Sequence, residues 1–360
     1  MLIQIAGQRK WCAIKLKTKR RSIHPESWIV YVFPAGGALT DLKAPDKVAL
    51  GTVCSMGAPI KPRYPRGVLV SCEVPWDEQD RFLEDVFRRE VQQFLAFGFR
   101  HIYIFGTAGE GYAVTNRQFE QVARVFYEET RGVDVLPQVG IIGLSTSTIR
   151  ERIDIALNLG FQTFQISLPP WGALNDRELI RFFEDVCFAF PKAQFLHYNL
   201  LRTKRLLTAA DYRNIVDKVP NLVATKNTSP DVSHTVALMR VVPELQHFFG
   251  EATFPTGCVH GECSMLSSFA PMFPKRTLEM FENACAGWLE NLFRLQKEYL
   301  SDVYDVIGPM LREPLIDGAY DKALVRLGGL TMPLRLLPPY ECVREDVFLE
   351  CERILDAKQQ

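Results

Sequence analysis

The chain of 360 residues lacks any apolar run near the ~20 residues that a membrane helix requires. It carries no charge surplus: 42 basic side chains balance 42 acidic ones, which gives no support to nucleic-acid binding or to general attraction to an acidic membrane surface. It also lacks a CxxC pair. The nine cysteines, at 12, 54, 72, 187, 258, 263, 285, 342 and 351, are odd in number and scattered. In a chain of this length they read as reduced thiols of a cytoplasmic protein, not as a disulfide framework. Cys258-Val259-His260 is the tightest Cys/His grouping, and it falls short of the ligand count a zinc site needs, so no metal is expected. What remains is ordinary globular composition, 47% hydrophobic and 23% charged.

Residues 9 to 21 are strongly basic but have no apolar core of the secretory kind. Residues 1 to 55 show no periodicity that joins the pattern downstream, and Met56 precedes the proline-rich stretch 58–65. The expectation is an irregular N-terminal extension over 1–66, with a start of translation at Met56.

From residue 67 onward, short β-rich runs alternate with amphipathic stretches. Strands are predicted at 68–72, 101–105, 135–142, 161–168, 194–198, 222–226, 245–250 and 263–267. Helices are predicted at 82–97, 116–131, 145–159, 176–190, 208–219, 232–242, around 254–260 and from about 275. Gly98 and Gly160 end two of them, and Ser/Thr residues suit the start of the third. Eight strand–helix units predict an α/β fold of the (β/α)8, or TIM, barrel type over 67–298, with a doubly wound open sheet as the other arrangement. Residues 299–360 read as a C-terminal helical appendage broken at Gly328-Gly329 and by the stretch 332–339.

Barrel enzymes place their sites at the C-terminal ends of the strands. Three such ends stand out: Gly106-Thr107-Ala108-Gly109-Glu110 after the second strand, Tyr198-Asn199 at the fifth, and Lys226 at the sixth. Taken singly, a strand-end lysine reaches water and a strand-end tyrosine is core. Together they point to a lysine that forms an imine with a 2-oxo acid.

These three motifs, in order and with 28 residues between Tyr198 and Lys226, resemble the dihydrodipicolinate synthase/N-acetylneuraminate lyase family of class I pyruvate aldolases. The likeness runs over roughly residues 67 to 350 and includes Gly250-Glu251 and Gly261-Glu-Cys263-Ser264. It implies a lyase in which Lys226 is the imine-forming nucleophile and Tyr198 and Thr107 move protons. The backbone of Thr107, Ala108 and Gly109 would hold the substrate carboxylate, and Glu110 would bind amides of its own loop. Arg202, Cys263 and Trp171 would line the rest of the substrate site. No cofactor is implied, and the partners would be a small 2-oxo acid and further copies of the chain in a homodimer or homotetramer.

The chain also departs from the lysine-pathway synthase. Ala108 stands where that enzyme has a second threonine, Trp171 falls near its additional tyrosine, and Arg202 arrives one residue early in Tyr198-Asn-Leu-Leu-Arg202-Thr203. An indole has no ionisable hydroxyl, so a relay through position 171 cannot run unchanged. Lys226-Asn-Thr-Ser-Pro-Asp231 is nearer to the 2-keto-3-deoxy sugar acid branch. The expected function is therefore C–C bond making or breaking, or dehydration, at pyruvate or a related 2-oxo acid. The alternatives are the 4-hydroxy-tetrahydrodipicolinate synthase of lysine biosynthesis and a non-catalytic barrel that binds a 2-oxo acid or sugar acid.

Overall fold

A computed structural model describes residues 60–359. The extension expected over 1–55, and the proposed start at Met56, lie outside the described residues.

Eight parallel strands close on themselves in sequence order: β1 (Val68–Ser71), β2 (His101–Ile104), β3 (Leu136–Ile141), β4 (Thr163–Ile166), β5 (Gln194–Asn199), β6 (Leu222–Asn227), β7 (Gln246–Gly250) and β8 (Ser264–Leu266). The closing pairs are Val68↔Met265 and Leu69↔Leu266 between β1 and β8. That contact makes a barrel and rules out the open sheet. The intervening helices are α1 (Glu84–Phe97), α2 (Asn116–Thr130), α3 (Thr146–Leu159), α4 (Asp176–Cys187), α5 (Ala209–Val216), α6 (Val232–Val241), α7 (Phe254–His260) and α8 (Pro274–Cys285). Among the described residues, no helix is long and apolar enough to cross a membrane.

Local sequence explains where these helices begin and end. Thr115/Gln118, Ser145/Thr148, Asn175/Glu178 and Thr208/Asp211 form reciprocal capping boxes at the starts of α2, α3, α4 and α5. Gly98 (φ 94°) and Gly160 (φ 113°) close α1 and α3 in the left-handed conformation that glycine adopts without a Cβ penalty. Inside the barrel, Leu69, Tyr103, Leu196, Ala224, Phe248 and Leu266 form one buried cluster. Tyr64 joins it, its hydroxyl accepting from Gln138 Nε2 at 3.1 Å. The last residues of the expected 1–66 extension thus belong to the barrel core.

The C-terminal region continues as α9 (Leu289–Ile307), α10 (Asp317–Leu327) and α11 (Glu345–Gln359). The 298/299 boundary predicted from the sequence falls in the middle of α9. The described residues form one compact unit. The C-terminal helices follow the barrel as expected, and α10 packs its backbone on the loop after β2: a Cβ on Gly318 would stand 2.7 Å from the Ala108 carbonyl oxygen.

That loop begins with a kink. Phe105 follows β2 with φ 61°, a conformation that is strained for a residue with a large side chain. Its ring stacks on Phe119 with centroids 4.8 Å apart, and its carbonyl lies against two glycines. A Cβ on Gly140 would meet Phe105 O at 2.2 Å, and one on Gly111 would meet it at 2.3 Å. These glycines admit the turn that sends the chain across the barrel mouth. Gly140→Ala is expected to destabilise the protein by about 1–3 kcal/mol, the range for overpacking a close-packed interior. Chemical denaturation followed by far-UV circular dichroism checks this, and an unchanged midpoint contradicts it.

Candidate active site

Lys226 is the fifth residue of β6, and its side chain enters the barrel near the C-terminal end. Its Cα pairs with Tyr198 on β5 and Phe248 on β7. Only 2% of the residue is exposed. Nζ sits between two phenol rings, 4.0 Å from the Tyr198 centroid and 4.1 Å from that of Tyr103, and donates a 2.6 Å hydrogen bond to the Tyr103 hydroxyl. Burial lowers the Lys226 amine to about 7, against the opposing pull of Asp321, Glu73 and Asp317. Desolvation wins because the flanking rings offer quadrupole attraction but no formal negative charge. A large share of the amine is then neutral at physiological pH.

Tyr198 is buried beside it, and burial pushes the phenol up to about 12. The nearby Thr107 hydroxyl opposes that rise without forming a well-aligned hydrogen bond, and Thr107 Oγ1 is buried and unpartnered. The turn after β2 makes its own backbone bonds through Glu110 N to Thr107 O and Gly111 N to Gly106 O. The amides of Thr107, Ala108 and Gly109 take no part in them. Two glycines shape this turn. A Cβ on Gly109 would strike Phe105 N at 2.9 Å, and one on Gly106 would lie 2.7 Å from the Tyr103 ring and 3.5 Å from Lys226 Nζ. Gly106 thus keeps open the space above the amine.

Glu110 does not bind amides of its own loop. It is fully buried, with φ 56°, and points away from the turn. Oε1 accepts from Trp76 Nε1 at 2.9 Å and from Lys322 Nζ of α10 at 2.5 Å, while Oε2 accepts from Leu337 N at 2.7 Å. Its partners lie far away in sequence because the left-handed backbone turns the side chain under the C-terminal segment.

The remaining sequence-predicted residues divide. Arg202 lies at the mouth, but its guanidinium is paired with Asp317 of α10 at 2.8 Å. Trp171 is 83% exposed, and only its carbonyl is engaged, accepting from Lys204 Nζ. It is not a wall of the site, because the loop after β4 turns its side chain outward. Cys263 is also no part of it. It immediately precedes β8 and so lies at the N-terminal rim, the opposite end of a parallel barrel, where its sulfur is 3.5 Å from that of Cys258.

Four polar residues at the mouth escaped the sequence reading. Tyr103 contacts the amine directly. Glu73 follows β1 and is pushed up to about 8 by burial and by the neighbouring Glu90, so it is largely protonated at neutral pH. Ser71, whose Cα pairs with Tyr103, has a buried hydroxyl close to both Glu73 and Tyr103 but bonded to neither. Asp321 of α10 is buried, and desolvation raises its carboxyl well above the usual range. Two signals were available. Tyr103 shares the inward parity of His101 on β2, and Glu73 is a charged residue just past a strand, the same anomaly that marks Lys226.

A cavity of about 600 Å³ opens beside Thr107 on the side of β3, β4 and β5. It is roofed by Ile316, Pro338, Pro339 and Tyr340 from the C-terminal region. A second hollow, of about 470 Å³, is lined by α3 residues alone and holds none of this chemistry.

Comparison with known proteins agrees with this fold. N-acetylneuraminate lyases from Citrobacter koseri and Shigella boydii are each 24% identical over 198 residues, which is 54% of this chain and 66%, just under two thirds, of the relative. Among solved structures, a prophage protein of the dihydrodipicolinic acid synthase family from E. coli K12, in complex with pyruvate, superposes with a TM-score of 0.74 at 16% identity, covering 82% of this chain and 98% of that one. A sialic acid aldolase from Ruminococcus gnavus, solved as a catalytic lysine mutant, gives 0.72 at 18% identity, covering 82% and 97%. These structures share the fold. The profile of the dihydrodipicolinate synthetase family matches residues 64–358, which is most of the chain, and the chain belongs to that family.

Proposed function

We propose that this protein is a class I lyase that forms a Schiff base through Lys226 with pyruvate or a related 2-oxo acid, and that it makes or breaks a carbon–carbon bond. The observation that carries the reading is the buried amine, held near 7 between two phenols at a strand end. The lyase names of the sequence relatives, and the pyruvate and catalytic lysine named for two structural neighbours, support it.

In this mechanism neutral Lys226 attacks the C2 ketone. Tyr198 gives its proton to the departing hydroxide, which leaves as water, and the resulting iminium draws electrons from the bond at C3. Tyr198 then exchanges protons with the bound intermediate, with Thr107 beside it. The free amides of Thr107, Ala108 and Gly109 bind the carboxylate in a concave array, as turns of this kind bind anions. Tyr103 holds Nζ in place through its 2.6 Å contact. Tyr198, Thr107 and Lys226 thus act on the reacting atoms, while Ala108, Gly109 and Tyr103 position them.

Incubation with pyruvate and borohydride is expected to add one reduced pyruvyl group, mapped to Lys226 by peptide mass spectrometry, and Lys226→Ala should give none. An adduct confined to another lysine, or none with any 2-oxo acid, refutes the mechanism.

The amine must be neutral to attack. The trapping rate with cyanoborohydride should therefore rise with pH up to about 7 and level off above it. Tyr103→Phe should slow trapping by roughly 100-fold, within the span of a positioned proton-sharing group, and shift that inflection. An inflection near the ordinary lysine value would show that Nζ is not desolvated.

On the same reading the enzyme is a cytoplasmic homodimer or homotetramer. Light scattering after size exclusion should give two or four chain masses, and a single chain mass would contradict this.

A further inference from the structure

The cavity beside Thr107 has a chemical character of its own. Beyond Thr107 its sides are formed by Ala113, Ile142, Leu168, Pro170 and Leu200, with the hydroxyl of Ser167 among them. These come from the segments after β2, β3, β4 and β5, and the roof adds Ile316 and two prolines. Tyr112 and Tyr340, both in its lining, touch each other edge to face, with ring centroids 5.2 Å apart at 81°. Among the described residues, Arg202 is the one charged group lining it, and Asp317 already neutralises that guanidinium at 2.8 Å. The Thr203 hydroxyl is spent on the carbonyls of Leu200 and Arg205. The Tyr112 hydroxyl is buried with no partner.

A polyhydroxylated chain placed here would meet the few hydroxyls of Thr107, Ser167, Tyr112 and Tyr340 set in a largely aliphatic wall, and each of its own hydroxyls left unpaired there is costly. A second carboxylate would share Arg202 with Asp317, and the two like charges would weaken each other's hold on it. A flat apolar group would fill the space against the aliphatic walls and the Tyr112–Tyr340 pair, and would need few polar partners.

We propose that this cavity is the acceptor subsite and that it takes an apolar, aromatic aldehyde, so that the cleaved substrate is a 4-aryl-4-hydroxy-2-oxo acid. The proposal rests on the imine reading above and adds the acceptor class to it. In the cleavage direction, the iminium on Lys226 accepts the electron pair of the breaking C3–C4 bond and becomes an enamine. The C4 hydroxyl proton passes to the Tyr198 phenolate left when water departed, and the aryl aldehyde leaves. The enamine takes that proton back at C3, and water hydrolyses the imine. One substrate gives one pyruvate and one aldehyde, with no oxidant or reductant.

The experiment follows pyruvate release from 4-hydroxy-2-oxo-4-phenylbutanoate, from a 2-keto-3-deoxy sugar acid and from N-acetylneuraminate, with borohydride trapping of pyruvate run in parallel. The aryl substrate is expected to have a kcat/KM at least ~100-fold above either polyol, in keeping with rejection of hydroxyls left unpaired in an apolar site. Leu200→Asn should erode that ratio while leaving the pyruvate adduct on Lys226. If Lys226 traps pyruvate but a polyol is cleaved as well as or better than the aryl substrate, or none of the three is cleaved, the acceptor assignment is overturned and the imine reading stands. If no 2-oxo acid traps on Lys226, both fall together.

Discussion

Glu110 is the joint on which the mouth of this barrel depends. A carboxylate with no solvent contact needs hydrogen-bond partners within the protein, and here they come from three directions: the indole of Trp76 after β1, the ammonium of Lys322 on α10, and the backbone of Leu337 in the C-terminal segment. A buried ion pair adds little stability over an apolar replacement, whereas breaking one leaves an uncompensated charge. Its contribution is therefore geometric. It fixes which part of α10 faces the barrel, and so brings Asp317, Gly318 and Asp321 over the strand ends. The loop that carries Thr107 and the helix that covers it are held by the same side chain.

Below that joint, the site separates charge from polarity. The amine lies among rings and hydroxyls, with carboxyls one step removed at Glu73 and Asp321. Were either carboxyl in direct contact with Nζ, it would stabilise the ammonium and deplete the neutral amine. Burial raises both carboxyls, which weakens their hold on the proton of the lysine. Tyr103 contributes in the same sense, as it contacts Nζ without bringing a charge.

Much of this was legible in the sequence because barrel units are local. Alternation of short β runs with capped amphipathic stretches marks each strand and helix within its own thirty or so residues. The strand-end positions of Thr107, Tyr198 and Lys226 follow from that register alone. What stayed hidden was set by contacts distant in the chain. The pairing of Arg202 with Asp317 joins residues 115 apart, and that of Glu110 with Lys322 joins residues 212 apart. No periodicity announces either. Trp171 was misplaced because sequence spacing does not say which way a loop residue turns. Cys263 was misplaced because it stands at the start of the eighth strand, and in a parallel barrel that end faces away from the mouth.

Gly318 has a wider meaning than its size conveys. Its backbone lies so near the Ala108 carbonyl that a single carbon would not fit between them. The Thr107–Gly109 turn and the helix above it therefore form one mechanical part, although more than two hundred residues separate them. Exchanging the Thr107–Gly109 turn for that of a relative would leave it pressed against a helix shaped for something else. In this chain, the turn and α10 can diverge, or be redesigned, only as a pair.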